Sequence, residues 1–137
     1  MPKFLVSIED YRELVNSYDT FLFDCDGVVW LGSTLIPRMK ETIEYLRHLH
    51  KRVIFVSNNS SVSRKDYSKK FAKLGLEVSE EEVFCTAFAT AVYLKSSLKV
   101  PPGSKVFVIG AQGLVDEIQI AGIEVSENVI TKDFTMV

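Results

Sequence analysis

The sequence predicts an α/β fold built around a parallel β-sheet. Two apolar runs rich in strand-forming residues, 20–24 and 52–57, each end at polar residues, and an amphipathic segment lies between them. A strand, a helix and a second strand in this order form a parallel pair with a right-handed crossover. The composition is also that of a folded domain, because 47% of the 137 residues are hydrophobic and 25% are charged, which argues against general disorder.

The amino-terminal elements follow from local signals. The helix predicted over 7–17 begins with a capping signal, a serine followed three residues later by Asp10. The compact apolar run at 20–24 is predicted to be a buried strand. The segment 37–50 places its apolar residues on one helical face and its charges on the other, and the β-branched run at 52–57 is predicted to be the second strand.

The middle of the chain continues the alternation of helices and strands. A turn cluster at 58–61 leads into a helix predicted over 63–74, for which Gly75 is the expected residue after the carboxyl end. A short third strand is predicted at 83–85, and another helix at 86–98. Three apolar residues of that helix are expected to lie in the core: Phe88, Val92 and Leu98.

The Pro-Pro-Gly sequence at 101–103 breaks the chain sharply. After the break the pattern restarts with a strand, a helix ended by Gly122 and a further candidate strand, predicted at 105–110, 113–121 and within 123–130. We therefore place a candidate boundary between two units at about residue 104.

The first chemical signal is the sequence Asp24-Cys25-Asp26-Gly27 at the carboxyl end of the first strand. In open α/β sheets, ligands bind beyond the carboxyl ends of the strands. A turn at Gly27 brings Asp26 back over the same site as Asp24, and two carboxylates held close allow one to remain protonated while the other is ionised. The alternative is a turn or helix-capping acid without a catalytic role.

The second signal is the sequence Ser57-Asn58-Asn59-Ser60, which begins 33 residues after Asp24 and closes the second strand. If the two strands are parallel neighbours, both polar motifs open onto the same edge of the sheet. A hydroxyl, two amides and backbone N–H groups at that edge would suit a phosphate. The alternative is a polar loop that caps the following helix from Ser61 or Ser63.

These two motifs carry a resemblance to a known family. The chain is similar to the haloacid dehalogenase superfamily of phosphatases in two stretches, FLFDCDGVVW at 21–30 and VIFVSNNS at 53–60. Within it, the chain resembles the p-nitrophenylphosphatase and phosphoglycolate phosphatase group, which includes pyridoxal phosphatases. The resemblance implies the first half of a Rossmann-like core over 1–104 and the start of an inserted cap domain over 105–137.

The resemblance also implies roles for individual residues. Asp24 would be the nucleophile that forms an aspartyl-phosphate, and Asp26 would be the general acid and then the base. Mg²⁺ would be held by the Asp24 carboxylate and the Asp26 backbone carbonyl. The phosphoryl oxygens would be oriented by Ser57, Asn58 and Asn59, and Gly27 would let the backbone turn closely beside the metal.

Other parts of the family's active site are not found in this sequence. Members also use a lysine after a third strand-end motif and a second acidic pair, and no Gly-Asp-x-x-x-x-Asp pattern follows Ser60. We therefore expect Mg²⁺-dependent phosphomonoester hydrolysis from the intact protein and no activity from this chain alone. Two alternatives stay open, a truncated non-catalytic fragment that binds phosphate or a partner, and a phosphotransferase.

Composition limits the classes of partner and the cellular location that we expect. The formal charge of −2 argues against non-specific nucleic-acid binding, and no apolar run approaches the roughly 20 residues of a membrane helix. We expect a cytoplasmic protein with a small phosphorylated metabolite as its partner, and a homodimer stays open. Cys25 and Cys85 do not form a disulfide framework. Oxidation at Cys25, which lies between the two acids, is a hypothesis to test.

Overall fold

The computed structural model describes residues 4–126. Its helices are α1 (Ile8–Ser17), α2 (Met39–His48), α3 (Arg64–Lys73), α4 (Thr86–Val92) and α5 (Gln112–Ile120), and a π-helical turn at Tyr93–Ser97 continues α4. Its strands are β1 (Thr20–Asp24), β2 (Trp30–Leu31), β3 (Thr34–Leu35), β4 (Arg52–Ser57), β5 (Val83–Cys85), β6 (Lys105–Val106) and β7 (Glu124–Val125). A short 3₁₀ turn at Glu80–Glu82 precedes β5.

The main sheet is parallel and has the strand order β1-β4-β5. Its three strands begin and end at the residues that the sequence predicts, so the α/β fold with a parallel sheet is confirmed. The prediction that the first strand is buried is wrong, because β1 lies at the edge of the described sheet and Leu22 on it is 67% exposed. An apolar run identifies a strand, but it does not say whether the strand has neighbours on both sides.

A small antiparallel hairpin of β2 and β3 follows β1 and was not predicted. Its strands have two residues each, which is too short for an alternating pattern to be recognised. The two-residue connection contains Gly32 at φ +62°, a conformation that favours glycine. The hairpin buries Trp30 completely.

The main core lies where α2 and α3 pack against the sheet. Ile43 of α2 and Phe71 of α3 are fully buried there. Phe71 is the centre of an aromatic cluster, because its ring centroid lies 4.5 Å from that of Phe55 and 4.9 Å from that of Trp30. This cluster fixes the position of α3 relative to β4 and the hairpin.

The helix boundaries follow the capping signals closely. Ser7 and Asp10 form the predicted capping box of α1, and Ser63 caps α3 through its side chain. Gly75 has a φ of +79° just after α3, as predicted. The second helix is shorter than the predicted 37–50, because it begins only after Arg38, which has a φ of +64°.

The predicted helix over 86–98 is divided into α4 and the π-helical turn. Phe88 packs against the main core, as expected. The core assignments of Val92 and Leu98 are wrong, because both side chains are exposed. The buried side chains of α4 are Ala87 and Ala91. Small residues allow neighbouring elements to approach α4 closely, and periodicity in large apolar residues does not reveal such a face.

The elements after the Pro-Pro-Gly break pack against the first part of the chain. Strands β6 and β7 pair in parallel, and α5 joins a second core cluster of Ala91, Val108, Val115 and Ile118. Glu117 of α5 is buried and accepts hydrogen bonds from the Arg64 backbone N–H at 2.7 Å and from Arg64 Nε at 3.1 Å. The break therefore connects two parts that share packing contacts, and the boundary near residue 104 stays a prediction.

The predictions after the break are confirmed only in part. The helix predicted at 113–121 is α5, and Gly122 follows it at φ +82°. The strand predicted at 105–110 is wrong in length, because β6 ends at Val106 and the side chains of Phe107 and Ile109 are exposed. Of the strand predicted within 123–130, β7 is present, and residues 127–130 lie outside the described range. No helix in the described range is long and apolar enough to cross a membrane.

Candidate active site

The two polar motifs lie at the same edge of the main sheet. Strands β1 and β4 are parallel neighbours, and Asp24 is paired with Val56, the residue before Ser57. Ser57 is in turn paired with Cys85 at the end of β5. The carboxyl ends of all three strands therefore meet where ligands bind in open α/β sheets.

A tight turn follows β1 and carries the two candidate carboxylates. The backbone N–H of Cys25 donates to Asp24 Oδ1 at 2.9 Å, and the N–H of Gly27 donates to the carbonyl of Trp30 at 2.8 Å. Gly27 has a φ of +84°, which a residue with a side chain rarely adopts. The turn leaves the side chains of Asp24 and Asp26 exposed at the edge.

The Asp26 carboxylate is held from below by an aromatic residue. Nε1 of Trp30 donates to Asp26 Oδ1 at 2.7 Å. Trp30 itself is fully buried, so the hydrogen bond joins an exposed carboxylate to the core. This contact depends on the β2–β3 hairpin, which returns the indole beneath the turn, so no local pattern in the sequence reveals it.

The loop after β4 presents a buried hydroxyl and two exposed amides. Ser57 is 3% exposed, and its Oγ accepts from the backbone N–H of Asn59 at 3.2 Å. Asn59 Oδ1 accepts from the N–H of Ser61 at 2.7 Å, and the NH₂ group is the donor end of the same side chain. The carbonyl of Asn58 accepts from Thr86 Oγ1 at 3.1 Å, so the loop is tied to α4.

The capping interpretation of this loop is confirmed at Ser63, one of the two serines expected to cap the helix. Ser61, the other, is not the cap of α3. Ser57 instead pairs with Tyr67 of α3, whose Oη lies 2.7 Å from Ser57 Oγ. The segment after β4 therefore caps α3 at Ser63, and its first residues carry the hydroxyl and amide groups of the candidate site.

Cys25 does not have the properties of a reactive thiol. It is fully buried, and burial raises its pKa to about 12, with the nearby carboxylates of Asp26 and Asp24 adding to the effect. A thiol with a raised pKa stays protonated at neutral pH, and the thiolate is the form that oxidants attack. These observations argue against the hypothesis that oxidation at Cys25 controls the site.

Oxygen atoms are the donors available for a metal at this edge. The exposed Asp24 carboxylate and the Asp26 backbone carbonyl are hard ligands of the type that Mg²⁺ prefers. Among residues 4–126, no group of three or more His, Cys, Asp or Glu side chains is arranged to hold a metal. The two oxygen donors would suit Mg²⁺ in type.

Comparisons with known proteins relate the whole arrangement to one family. A family model described as haloacid dehalogenase-like hydrolase matches residues 21–124. Phosphoglycolate phosphatase 1A, chloroplastic, of Arabidopsis thaliana is 49% identical over 117 residues, which make up 85% of this chain and 32% of that protein. The 4-nitrophenylphosphatase of Schizosaccharomyces pombe is 45% identical over 123 residues, or 90% of this chain and 41% of that protein.

Solved structures are similar over the same region. The structure of a glycerol phosphate phosphatase from Mycobacterium tuberculosis in complex with magnesium has a TM-score of 0.72 and 26% identity, and the match covers 82% of this chain and 33% of that one. The chain thus spans about a third to two fifths of the length of the curated relatives it matches.

Proposed function

The chain belongs to the haloacid dehalogenase-like hydrolases, and on that premise we propose that the full protein is a phosphatase of small phosphomonoesters. The observation that carries the proposal is the placement of Asp24 and Ser57 on neighbouring parallel strands, at one edge of the sheet. This edge combines an exposed carboxylate with hydroxyl and amide donors. Such a combination suits attack on a phosphoryl group whose oxygens need hydrogen-bond donors.

Asp24 is the proposed nucleophile. One of its oxygens accepts the Cys25 N–H, which fixes the plane of the carboxylate. An Asp24 oxygen attacks phosphorus, and the bond from phosphorus to the alcohol oxygen breaks as the aspartyl-phosphate forms. Asp26 gives a proton to the departing alcohol, then takes one from the water that attacks the aspartyl-phosphate and releases inorganic phosphate.

The phosphate-binding role falls to the loop after β4. Ser57 Oγ and the side-chain amides of Asn58 and Asn59 lie at the start of that loop, next to Asp24 in the sheet. The turn, which Gly27 closes at φ +84°, and the loop follow the carboxyl ends of neighbouring strands. We propose that these groups orient the phosphoryl oxygens during both steps.

Mg²⁺ is the proposed cofactor. The Asp24 carboxylate and the Asp26 backbone carbonyl would hold it, and its positive charge would offset the repulsion between an anionic nucleophile and a phosphate dianion. The solved relative in complex with magnesium supports this choice of metal. The relatives named for phosphoglycolate and glycerol phosphate support small phosphorylated metabolites as the substrate class.

A second candidate function concerns the 137 residues alone. A fragment that binds phosphate or a partner without turnover is the alternative for this chain in isolation, because no Gly-Asp-x-x-x-x-Asp pattern follows Ser60 in these 137 residues. We further propose that residues 105–137 begin a cap domain inserted after a core unit at 1–104. Cytoplasmic location and a homodimer stay predictions.

The test uses the full-length protein with p-nitrophenyl phosphate and Mg²⁺. Asp24→Asn should reduce kcat by about a thousandfold or more, because it removes the proposed nucleophile. Asp19→Asn is the matched control, since Asp19 is exposed just before the opposite end of the same strand and should leave activity unchanged. Equal activity of Asp24→Asn and wild type would reject Asp24 as the nucleophile. Turnover by the 137 residues alone would reject the non-catalytic alternative.

A further inference from the structure

Two buried aromatic side chains lie behind the proposed site and connect its two motifs. Trp30 and Tyr67 are 0% and 2% exposed, and their rings stack with centroids 6.2 Å apart and planes 20° from parallel. Each directs its polar atom to a different motif, Trp30 Nε1 to Asp26 and Tyr67 Oη to Ser57. We propose that Trp30 and Tyr67 are positioning residues, which hold the proton donor and the phosphate-binding hydroxyl in fixed relative places; this inference rests on the proposed function.

The hydrogen bond between Ser57 and Tyr67 can run in either direction, and the direction decides whether Ser57 has a hydrogen to donate. A serine hydroxyl has one hydrogen and two acceptor positions. The Asn59 N–H occupies one acceptor position at 3.2 Å. If Tyr67 donates to the second, the hydrogen of Ser57 stays available for a phosphoryl oxygen. If Ser57 donates to Tyr67 instead, Ser57 has no hydrogen to offer to the phosphate.

A bound phosphate selects between these two directions. A phosphoryl oxygen only accepts hydrogen bonds, so it favours the state in which Tyr67 donates to Ser57 and Ser57 donates outward. Burial raises the pKa of Tyr67, so its phenol keeps the required hydrogen at neutral pH. Within the described range, Ser57 is the hydrogen-bond partner of that phenol. Tyr67 thus sets the donor state of Ser57 and does not itself reach the edge.

Trp30 fixes the position of Asp26 through a hydrogen bond. An indole N–H only donates, so it engages one carboxylate oxygen, Oδ1, and leaves Oδ2 to carry the transferred proton. The indole has little freedom to move, because it packs edge-on against Phe71 at 4.9 Å and Lys70 Nζ lies 3.9 Å from its ring centroid. Since Trp30 and Tyr67 also stack on each other, the core sets the relative positions of the two motifs.

The main test measures two quantities that a purely structural role would not separate. In the full-length protein, Tyr67→Phe should weaken inhibition by inorganic phosphate about tenfold with a smaller change in kcat, because it removes the hydrogen bond that holds the Ser57 oxygen in place. Trp30→Phe should lower kcat about tenfold or more and leave phosphate inhibition nearly unchanged, because it loosens the proton donor. Tyr45→Phe is the control, since Tyr45 is exposed on α2.

A double-mutant cycle tests whether Tyr67 acts through Ser57. Adding Tyr67→Phe to Ser57→Ala should cause no further loss of phosphate inhibition, because the hydroxyl that Tyr67 orients is already absent. A full additional tenfold loss in that background would overturn the role of Tyr67. Equal, proportional changes of kcat and phosphate inhibition in Tyr67→Phe and Trp30→Phe would overturn the inference as a whole.

One readout does not depend on a Trp30 variant that folds. The indole N–H resonance of Trp30 can be assigned in the wild-type protein through its connectivity to the Trp30 backbone resonances. Asp26 is exposed, and Asp26→Ala should shift the resonance upfield as the hydrogen bond is lost. An unchanged resonance would overturn the role of Trp30. A wild-type protein without phosphatase activity would reject the proposed function, whereas active wild type with wild-type-like variants would reject only this inference.

Discussion

Gly113 on α5 is a position where one methyl group should disturb the proposed phosphate loop from outside. An added Cβ would lie 2.5 Å from the Ser61 carbonyl oxygen and 2.6 Å from the Ser63 backbone nitrogen. Ordinary contacts of a Cβ begin near 3.4 Å. The contact between the new Cβ and the Ser61 oxygen would therefore be about 0.9 Å shorter than an ordinary contact. The contacted backbone continues directly from the Ser57 loop, and backbone cannot rotate away as a side chain can.

Two opposing effects set the size of the change in stability. Alanine is favoured over glycine in a helix by up to about 1 kcal/mol. Overpacking of a close-packed interior costs about 1 to 3 kcal/mol, and a rigid neighbour places the cost at the upper end. Gly113→Ala should thus lower the free energy of unfolding by about 2 kcal/mol, and it should weaken inhibition by inorganic phosphate as the loop is displaced.

Urea denaturation and phosphate inhibition of the full-length protein measure the two effects. Gly110→Ala is the matched control, because its Cβ would meet Leu114 Cδ2 at 3.2 Å, and the end of a leucine side chain can shift. We expect the control to lie within about 0.5 kcal/mol of wild type. A Gly113→Ala protein as stable as the control, with unchanged phosphate inhibition, would refute the close packing of α5 on this segment.

Two further predictions concern buried groups near the site. Glu117→Ala should destabilise the protein by about 3 to 5 kcal/mol, because it leaves the largely buried Arg64 guanidinium without its partner. In a double-mutant cycle followed by urea denaturation, adding Arg64→Ala should recover part of that loss. Additive losses of stability would contradict the pairing. Cys25, whose pKa is raised to about 12, should stay unlabelled by iodoacetamide at pH 8 until the protein unfolds. Mass spectrometry measures the labelling. Rapid labelling of Cys25 in the native protein would contradict this prediction, because it requires an accessible thiolate.

Local signals predicted most of the secondary structure of this chain. The capping box of Ser7 and Asp10 and the glycine after α3 each act within a few residues, so the sequence alone identifies them. The exposure of Leu22 on β1 and of Val92 on α4 could not be identified in that way. Burial depends on which elements lie alongside, and periodicity describes only the element itself.

The candidate site likewise has features that can be predicted from the sequence and features that cannot. Asp24 and Ser57 can be placed at the ends of two parallel strands from the chain alone, because hydrophobic runs and their polar ends follow one another along it. Three contacts depend on the fold: Trp30 hydrogen-bonds Asp26, Tyr67 pairs with Ser57, and α5 packs closely on the segment after the loop. Those contacts arise when a hairpin and two helices pack around a shared core, and packing between separate segments has no signature in the spacing of residues.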